Sequence, residues 1–301
     1  MMNLTGFDRR NLPDGLSAFD LLKTLALLLM VVDHVGYYFL PGDLIGTIGH
    51  PDMWWRVIGR WCVPIWFFLV GYSRSRDVSV WIWAAAAIIT LHNVSIGLYV
   101  FALNNLVTII LVRLMLDPVA RFALRNIFTL GAVVIVCLAL FPMTDRVTEY
   151  GTLGLLIALV GYVARHGQEV GASAMVRAKH FLPAFAAGAA VLAAACQTTV
   201  FVTFDPIQTQ LMFAGMMATM MLCVYIPKTS FPYLELVIPG GVVRLLKFTG
   251  RHTMFLYVAH LIVFKAAAMY FGLGHPIYGW FDWEWDMFET YGKLVRPGMM
   301  P

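Results

Sequence analysis

"FDLLKTLALLLMVVDHVGYY" occupies residues 19–38, and its reading decides the fold. Between Lys23 and Asp33 only Thr24 interrupts the apolar run. Twenty residues at about 1.5 Å each cross the hydrocarbon of a bilayer, so the stretch predicts a membrane helix. It nevertheless carries Asp20, Lys23, Asp33 and His34. Ionisable groups at membrane depth are rare and face a partner or a cavity. Lys23 and His34 are eleven residues apart, which returns the helix to nearly the same face roughly 16.5 Å further along. One stripe therefore joins them, with Asp20 a turn before Lys23. Asp33 and His34 are neighbours whose side chains diverge by about 100°, so each needs its own partner.

The rest of the chain agrees with this reading. Its 301 residues are 60% hydrophobic and 13% charged, where a soluble domain carries about 25% charge. The composition predicts an all-α, polytopic transmembrane bundle. Net charge is +4 and no basic cluster is interleaved with aromatics, which argues against nucleic acid as a partner. Cys62, Cys137, Cys196 and Cys223 lie in or beside apolar runs without metal-type spacing. No metal is expected. The first apolar run is too long for the core of a cleavable signal and reads as a signal anchor.

Candidate spans cover roughly 18–40, 56–72, 78–100, 103–117, 124–142, 150–165, 180–203, 207–227 and 249–272. That is nine, or ten if "PYLELVIPGGVV" (232–243) holds a short helix. With the N-terminus inside, the inner segments collect about fourteen Lys and Arg and the outer ones about five, which supports N-in topology. Arg113 and Lys265 are left at depth or at a boundary. The expected organisation is one domain over 1–301, with 1–17 cytoplasmic and the acidic, aromatic 273–301 on the outer face.

Several further residues could carry chemistry. Arg56 and Arg60 share one face at the start of the second span, at the expected depth of His34. An Asp33–Arg60 pair would offset the burial of both charges. The plainer alternative makes both arginines interfacial anchors beside Trp54, Trp55 and Trp61. Tyr257 and His260 share a face on the last span, with Arg251 and His252 at its inner end. A packing tyrosine and a satisfied core histidine remain the alternative. Asn104 and Asn105 mark a polar break that suits a cavity wall, and Tyr150 in "EYGTLG" (149–154) opens the sixth span.

Five stretches, in order, resemble one family: "LLKTLALLLMVVDHVGYYFLPG" (21–42), "RVIGRWCVPIWFFLVGYSRSR" (56–76), "LNNLVTIIL" (103–111), "EYGTLGLLIALVGY" (149–162) and "FLYVAHL" (255–261). The chain resembles the TraX family, and more distantly the acyltransferase-3 type of transmembrane acyltransferase. The resemblance implies a bacterial inner-membrane protein that acetylates the N-terminus of a conjugative pilin. The larger group has a basic residue and a histidine on its first helix, a pattern met here by Lys23 and His34. Lys stands where Arg is usual and lacks its bidentate fork.

The resemblance implies acetyl-CoA as donor, with an acceptor such as pilin, and membrane lipids around the protein. Lys23, Arg74, Arg76 and Arg251 are the candidates for the CoA phosphates. His34 is the expected general base. Asp33 with Arg60 would shape the acceptor side, and Tyr257, His260 or an Asn would complete the catalytic group. Three other readings stay open. A glycan or lipid could be the acceptor. Buried Asp, His, Lys and Arg also build proton-coupled transporters, although no paired halves are visible. An assembly factor would hold pilin without using CoA.

Overall fold

The computed structural model describes residues 15–39, 53–95, 102–167, 169, 173–200, 204–226 and 230–271. The expected C-terminal segment 273–301 and residues 1–14 of the N-terminal segment lie outside the described residues. Thirteen helices follow in order: α1 (Ala18–Phe39), α2 (Met53–Arg60), α3 (Cys62–Tyr72), α4 (Val80–Ser95), α5 (Asn105–Ala123), α6 (Ile127–Val147), α7 (Gly151–His166), α8 (Ala174–Arg177), α9 (Phe181–Val200), α10 (Pro206–Tyr225), α11 (Pro232–Val237), α12 (Gly240–Arg251) and α13 (Thr253–Tyr270). Among the described residues there is no strand, only two isolated bridges.

Local chemistry sets many of these boundaries. Asn104 caps α5 by accepting from the Leu106 N–H at 3.1 Å. Asn126 with Thr129, and Asp205 with Gln208, form capping boxes at the starts of α6 and α10. The span expected over 56–72 is broken at Trp61. Pro64 has no N–H to give the Arg60 carbonyl and sits in the first turn of the new helix, where proline is tolerated. The last expected span also differs. Its first residues belong to α12, and "PYLELVIPGGVV" contributes α11 and the start of α12. Neither α11, of six residues, nor α12, of twelve, is long enough to span. The α12 helix instead packs against α1. Thr24 and Thr249 pair their hydroxyls at 2.6 Å, and Gly250 leaves room for the Asp20 backbone.

The protein is a membrane protein. Ile127–Val147, Phe181–Thr198 and Pro206–Tyr225 are long and apolar enough to cross a bilayer. Shorter apolar helices cover Val80–Val94, Gly151–His166 and Thr253–Ala268. Phe128, Ile135, Val136, Leu140 and Met143 of α6 are all exposed, a surface that suits lipid and not water.

At the centre, α1, α3 and α7 pack against one another through α3. A Cβ at Gly71 would overlap the Ala158 carbonyl, and one at Gly161 the Phe68 carbonyl. These two glycines bring the α3 and α7 backbones together, as small residues do between membrane helices. The α9–α10 pair lies on one side of this core and α4, α5 and α13 on the other. Two cavities open among these helices, the first lined from α1, α3, α5 and α13 and the second from α1, α2 and α13 with Gln197 of α9.

Candidate active site

The first cavity, of about 400 Å³, is lined by Lys23 and Met30 of α1, Trp66 and Leu69 of α3, Asn105, Ile109 and Arg113 of α5, and Tyr257 of α13, among others. Arg74 and Arg165 complete its cationic wall. Among the described residues no carboxylate lines it. Arg113 donates to the Asp77 carbonyl at 2.8 Å, and the Arg165 guanidinium lies over the Tyr72 ring. Asn105 Oδ1 is buried without a partner among the described residues. The cavity is therefore a mostly apolar chamber with four cations and one spare amide carbonyl.

The second cavity, of about 350 Å³, is lined by Asp33, His34, Arg56, Arg60, Asn104, Asp145, Glu149, Tyr150, Gln197, Tyr257 and Lys265, among others. Tyr257, only 8% exposed, lines both cavities. The stripe on α1 thus serves two chambers, Lys23 in one and His34 in the other, with Tyr257 at their shared wall.

Charges in the His34 cavity are compensated. Asp33 pairs with Arg56 at 2.9 Å. This corrects the expectation that Arg60 is its ion-pair partner. Arg60 instead donates to the Tyr150 hydroxyl, and its guanidinium also lies over the Tyr150 ring. The physical reason lies at Gly59, where a Cβ would overlap Asp33. Asp33 packs into that gap, between the two arginines in sequence, and Arg56 closes on it. The Tyr150 backbone is held at φ 69°, a left-handed conformation that costs a side-chain-bearing residue strain. Its N–H donates to Asp145 Oδ1 at 3.0 Å. Such strain recurs at functional sites and here turns the ring toward Arg60.

His34 and His260 meet across α1 and α13. The Nδ1 of His34 is 2.7 Å from the Nε2 of His260. The sequence marks each histidine separately and gives no sign that they touch. Asn104 is occupied structurally. Its Nδ2 donates to the Ala86 carbonyl and to Thr90, each at 3.0 Å, tying α4 to α5.

Two of the expected phosphate ligands stand elsewhere. Arg76 donates to the carbonyls of Val70, Gly71 and Ser73, closing the end of α3, and reaches Asp117 at 2.9 Å. Arg251 lies 3.5 Å from Asp20 and donates to the Gly15 carbonyl. Neither lines the Lys23 cavity, whereas Lys23 and Arg74 do. Sequence reading missed Arg113 and Arg165 there, and Asp145, Glu149, Gln197 and Lys265 in the other chamber. Arg113 and Lys265 were visible as charges at depth, and Glu149 as the first residue of "EYGTLG". Lys265, only 4% exposed, donates to Asn93 Oδ1.

The family model of the TraX protein matches residues 18–267, which include every residue of both cavities. The chain belongs to the TraX family. That family is associated with the pilin of conjugation systems. An uncharacterized protein of Rickettsia prowazekii (strain Madrid E) is 28% identical over 148 residues, 49% of this chain and 56% of that protein. The chain thus spans little more than half the length of this curated relative. No solved structure matches the chain.

Proposed function

We propose that this TraX-family protein is a membrane-embedded acetyltransferase of the bacterial inner membrane. It moves an acetyl group from acetyl-CoA to the N-terminal amine of a conjugative pilin. The observation that carries this reading is the pair of chambers meeting at Tyr257, one cationic and mostly apolar, the other holding His34.

Lys23, Arg74, Arg113 and Arg165 bind the phosphates of the donor by charge-assisted hydrogen bonds. The apolar wall of Met30, Leu69 and Ile109 accommodates its pantetheine arm, and Asn105 Oδ1 accepts from an amide of that arm. The thioester then lies at Tyr257. In the second chamber His34 takes a proton from the acceptor amine as its nitrogen bonds the thioester carbon. The C–S bond breaks, and His34 passes the proton to the leaving thiolate. The Tyr257 hydroxyl donates to the carbonyl oxygen as negative charge develops on it.

The test uses the full chain in lipid nanodiscs with acetyl-CoA and a co-reconstituted pilin. Mass spectrometry of the pilin should find one acetyl group on its N-terminus. With His34→Ala, kcat should fall by about 10²–10⁴ while KM for acetyl-CoA stays within about threefold. Acetylation that persists in a folded His34→Ala protein would remove His34 as the base. A pilin left unmodified by the unaltered protein would defeat the reading itself.

A further inference from the structure

We infer that His260 is a positioning residue that locks His34 in a single tautomer, with Nε2 as its one basic atom. The inference rests on the proposed role of His34 as base, yet its geometry can be tested without any turnover.

The argument starts at a carbonyl. His260 Nδ1 is 2.9 Å from the Leu256 carbonyl oxygen. A carbonyl can only accept, so His260 Nδ1 carries the hydrogen. A neutral imidazole holds one, which leaves His260 Nε2 with a lone pair. That lone pair faces His34 Nδ1 at 2.7 Å. His34 Nδ1 must therefore be the donor, and His34 Nε2 is left without a hydrogen. The ring centroids are 5.0 Å apart and the planes differ by 24°. That is the separation of two imidazoles joined in line through ring nitrogens, the arrangement in which the bond is strongest. His34 Nε2 has no partner among the described residues, and His34 lines the chamber.

The chain Leu256 C=O, His260, His34 thus does what a buried carboxylate does for the histidine of a hydrolase triad. It fixes the tautomer and the ring orientation. It differs by being neutral. Asp33 is adjacent to His34 but is engaged by Arg56, and the remaining ionisable groups of the chamber are Arg56 and Arg60 on α2, Tyr37 and Tyr38 on α1, Tyr257 and Lys265 on α13, and Asp145, Glu149 and Tyr150 around the α6–α7 turn. None of these is hydrogen-bonded to His34. When His34 Nε2 takes the amine proton, its Nδ1–H still points at a lone pair, and the bond becomes charge-assisted. Nothing has to rotate during the proton transfer.

The test combines a spectroscopic and a kinetic readout on the full chain in nanodiscs. With ¹⁵N-histidine, the resonances of His34 are assigned among the eight histidines by their loss in His34→Gln. The unaltered protein should show His34 protonated at Nδ1 and bare at Nε2. His260→Phe should release this preference and lower kcat by about 10²-fold, with KM for acetyl-CoA unchanged. His260→Gln places an amide oxygen near the lost Nε2, and should restore both the tautomer and kcat to within about tenfold. A hydrogen on His34 Nε2 in the unaltered protein would overturn the inference whatever the activity. So would a His260→Phe protein that keeps the tautomer. If the tautomer is as stated and no acetyl transfer occurs, the proposed function fails and the positioning role stands.

Discussion

On one side of Tyr257 four cations line a chamber that no carboxylate among the described residues shares; on the other, Arg56, Arg60 and Lys265 stand among Asp33, Asp145 and Glu149. Burial differs as well: Asp33 and Lys265 are buried, whereas Lys23, Arg113 and Arg165 are half-buried and Arg74 is exposed. Uncompensated cations in a low-dielectric wall are costly unless an anion arrives to pair with them. A compensated set is stable with or without a ligand and leaves a neutral imidazole free to take up a proton. In the proposed reading the Lys23 chamber is completed by a ligand, whereas the His34 chamber carries its own counter-charges. Substitutions should separate the two. In the compensated chamber they should cost stability, and in the uncompensated one they should cost donor affinity.

The largest effect is expected in the compensated chamber. Asp33→Asn removes the carboxylate of the buried ion pair with Arg56 and should destabilise the protein by about 3–5 kcal/mol, read from chemical or thermal unfolding in nanodiscs. Asp33→Asn with Arg56→Gln should recover most of the loss. Arg60→Gln, whose partner Tyr150 is neutral, should cost less, about 1–3 kcal/mol. If Arg60→Gln proved the costlier of the two arginine changes, Arg60 would be the true partner of Asp33.

Next comes the uncompensated chamber. Lys23→Met removes one charged donor, worth about 1.5–3 kcal/mol, and should raise KM for acetyl-CoA roughly 10–100-fold with kcat within about threefold. Unfolding should shift little, because no carboxylate of this chamber is orphaned. A Lys23→Met protein that loses kcat and keeps KM would place Lys23 in the chemistry and end the division between the chambers.

The scaffold that separates the chambers is the third test. Gly71→Ala or Gly161→Ala drives a methyl into a carbonyl of the facing helix and should cost about 1–3 kcal/mol. Residues of α3 line the first cavity, and Tyr150, which caps α7, lines the second, so this change should weaken donor binding and turnover together, unlike the two above. An alanine accepted at either position without loss would mean that α3 and α7 do not approach so closely in the bilayer.

Much of this arrangement was legible in the sequence, and the limit has a physical cause. The stripe on α1 follows from helical period alone, which is why Lys23 and His34 could be named as the two ends of a path. The break at Trp61 has its cause in Pro64, yet the apolar run 56–72 continues through it and masks the boundary. Arg76 was indistinguishable from Arg74 by composition. What separates them is that Arg76 folds back onto the last carbonyls of its own preceding helix. The His34–His260 contact joins residues 226 apart, and no local pattern encodes it. Pairing across the bundle depends on how α13 seats against α1, and that is decided by the whole core. Burial patterns tell which face of a helix is inside, but not which residue on another helix it meets.

The smallest effect is expected at the edge of the Lys23 end, where α1 begins. Glu235 on α11 accepts from the Leu16 N–H and pairs with Lys247 at 2.7 Å. The hydrogen bond from Lys247, and then that from Leu16, hold its carboxyl below the usual glutamate value. The group thus binds a proton more weakly when folded than when unfolded. Its contribution to stability is complete above the ordinary glutamate range, near pH 4.3, and fades as pH falls through the lowered folded value. Glu235→Gln should therefore lower Tm slightly at neutral pH, and the gap to the unaltered protein should close as the sample is acidified below that range. Because the carboxylate is solvated, the shift should be smaller than for any change above. Neither KM nor kcat should move, since Glu235 lines neither chamber. A change in KM alone would mean that the α11–α12 clamp on α1 holds Lys23 in place, and the uncompensated chamber would then extend to the surface of the bundle.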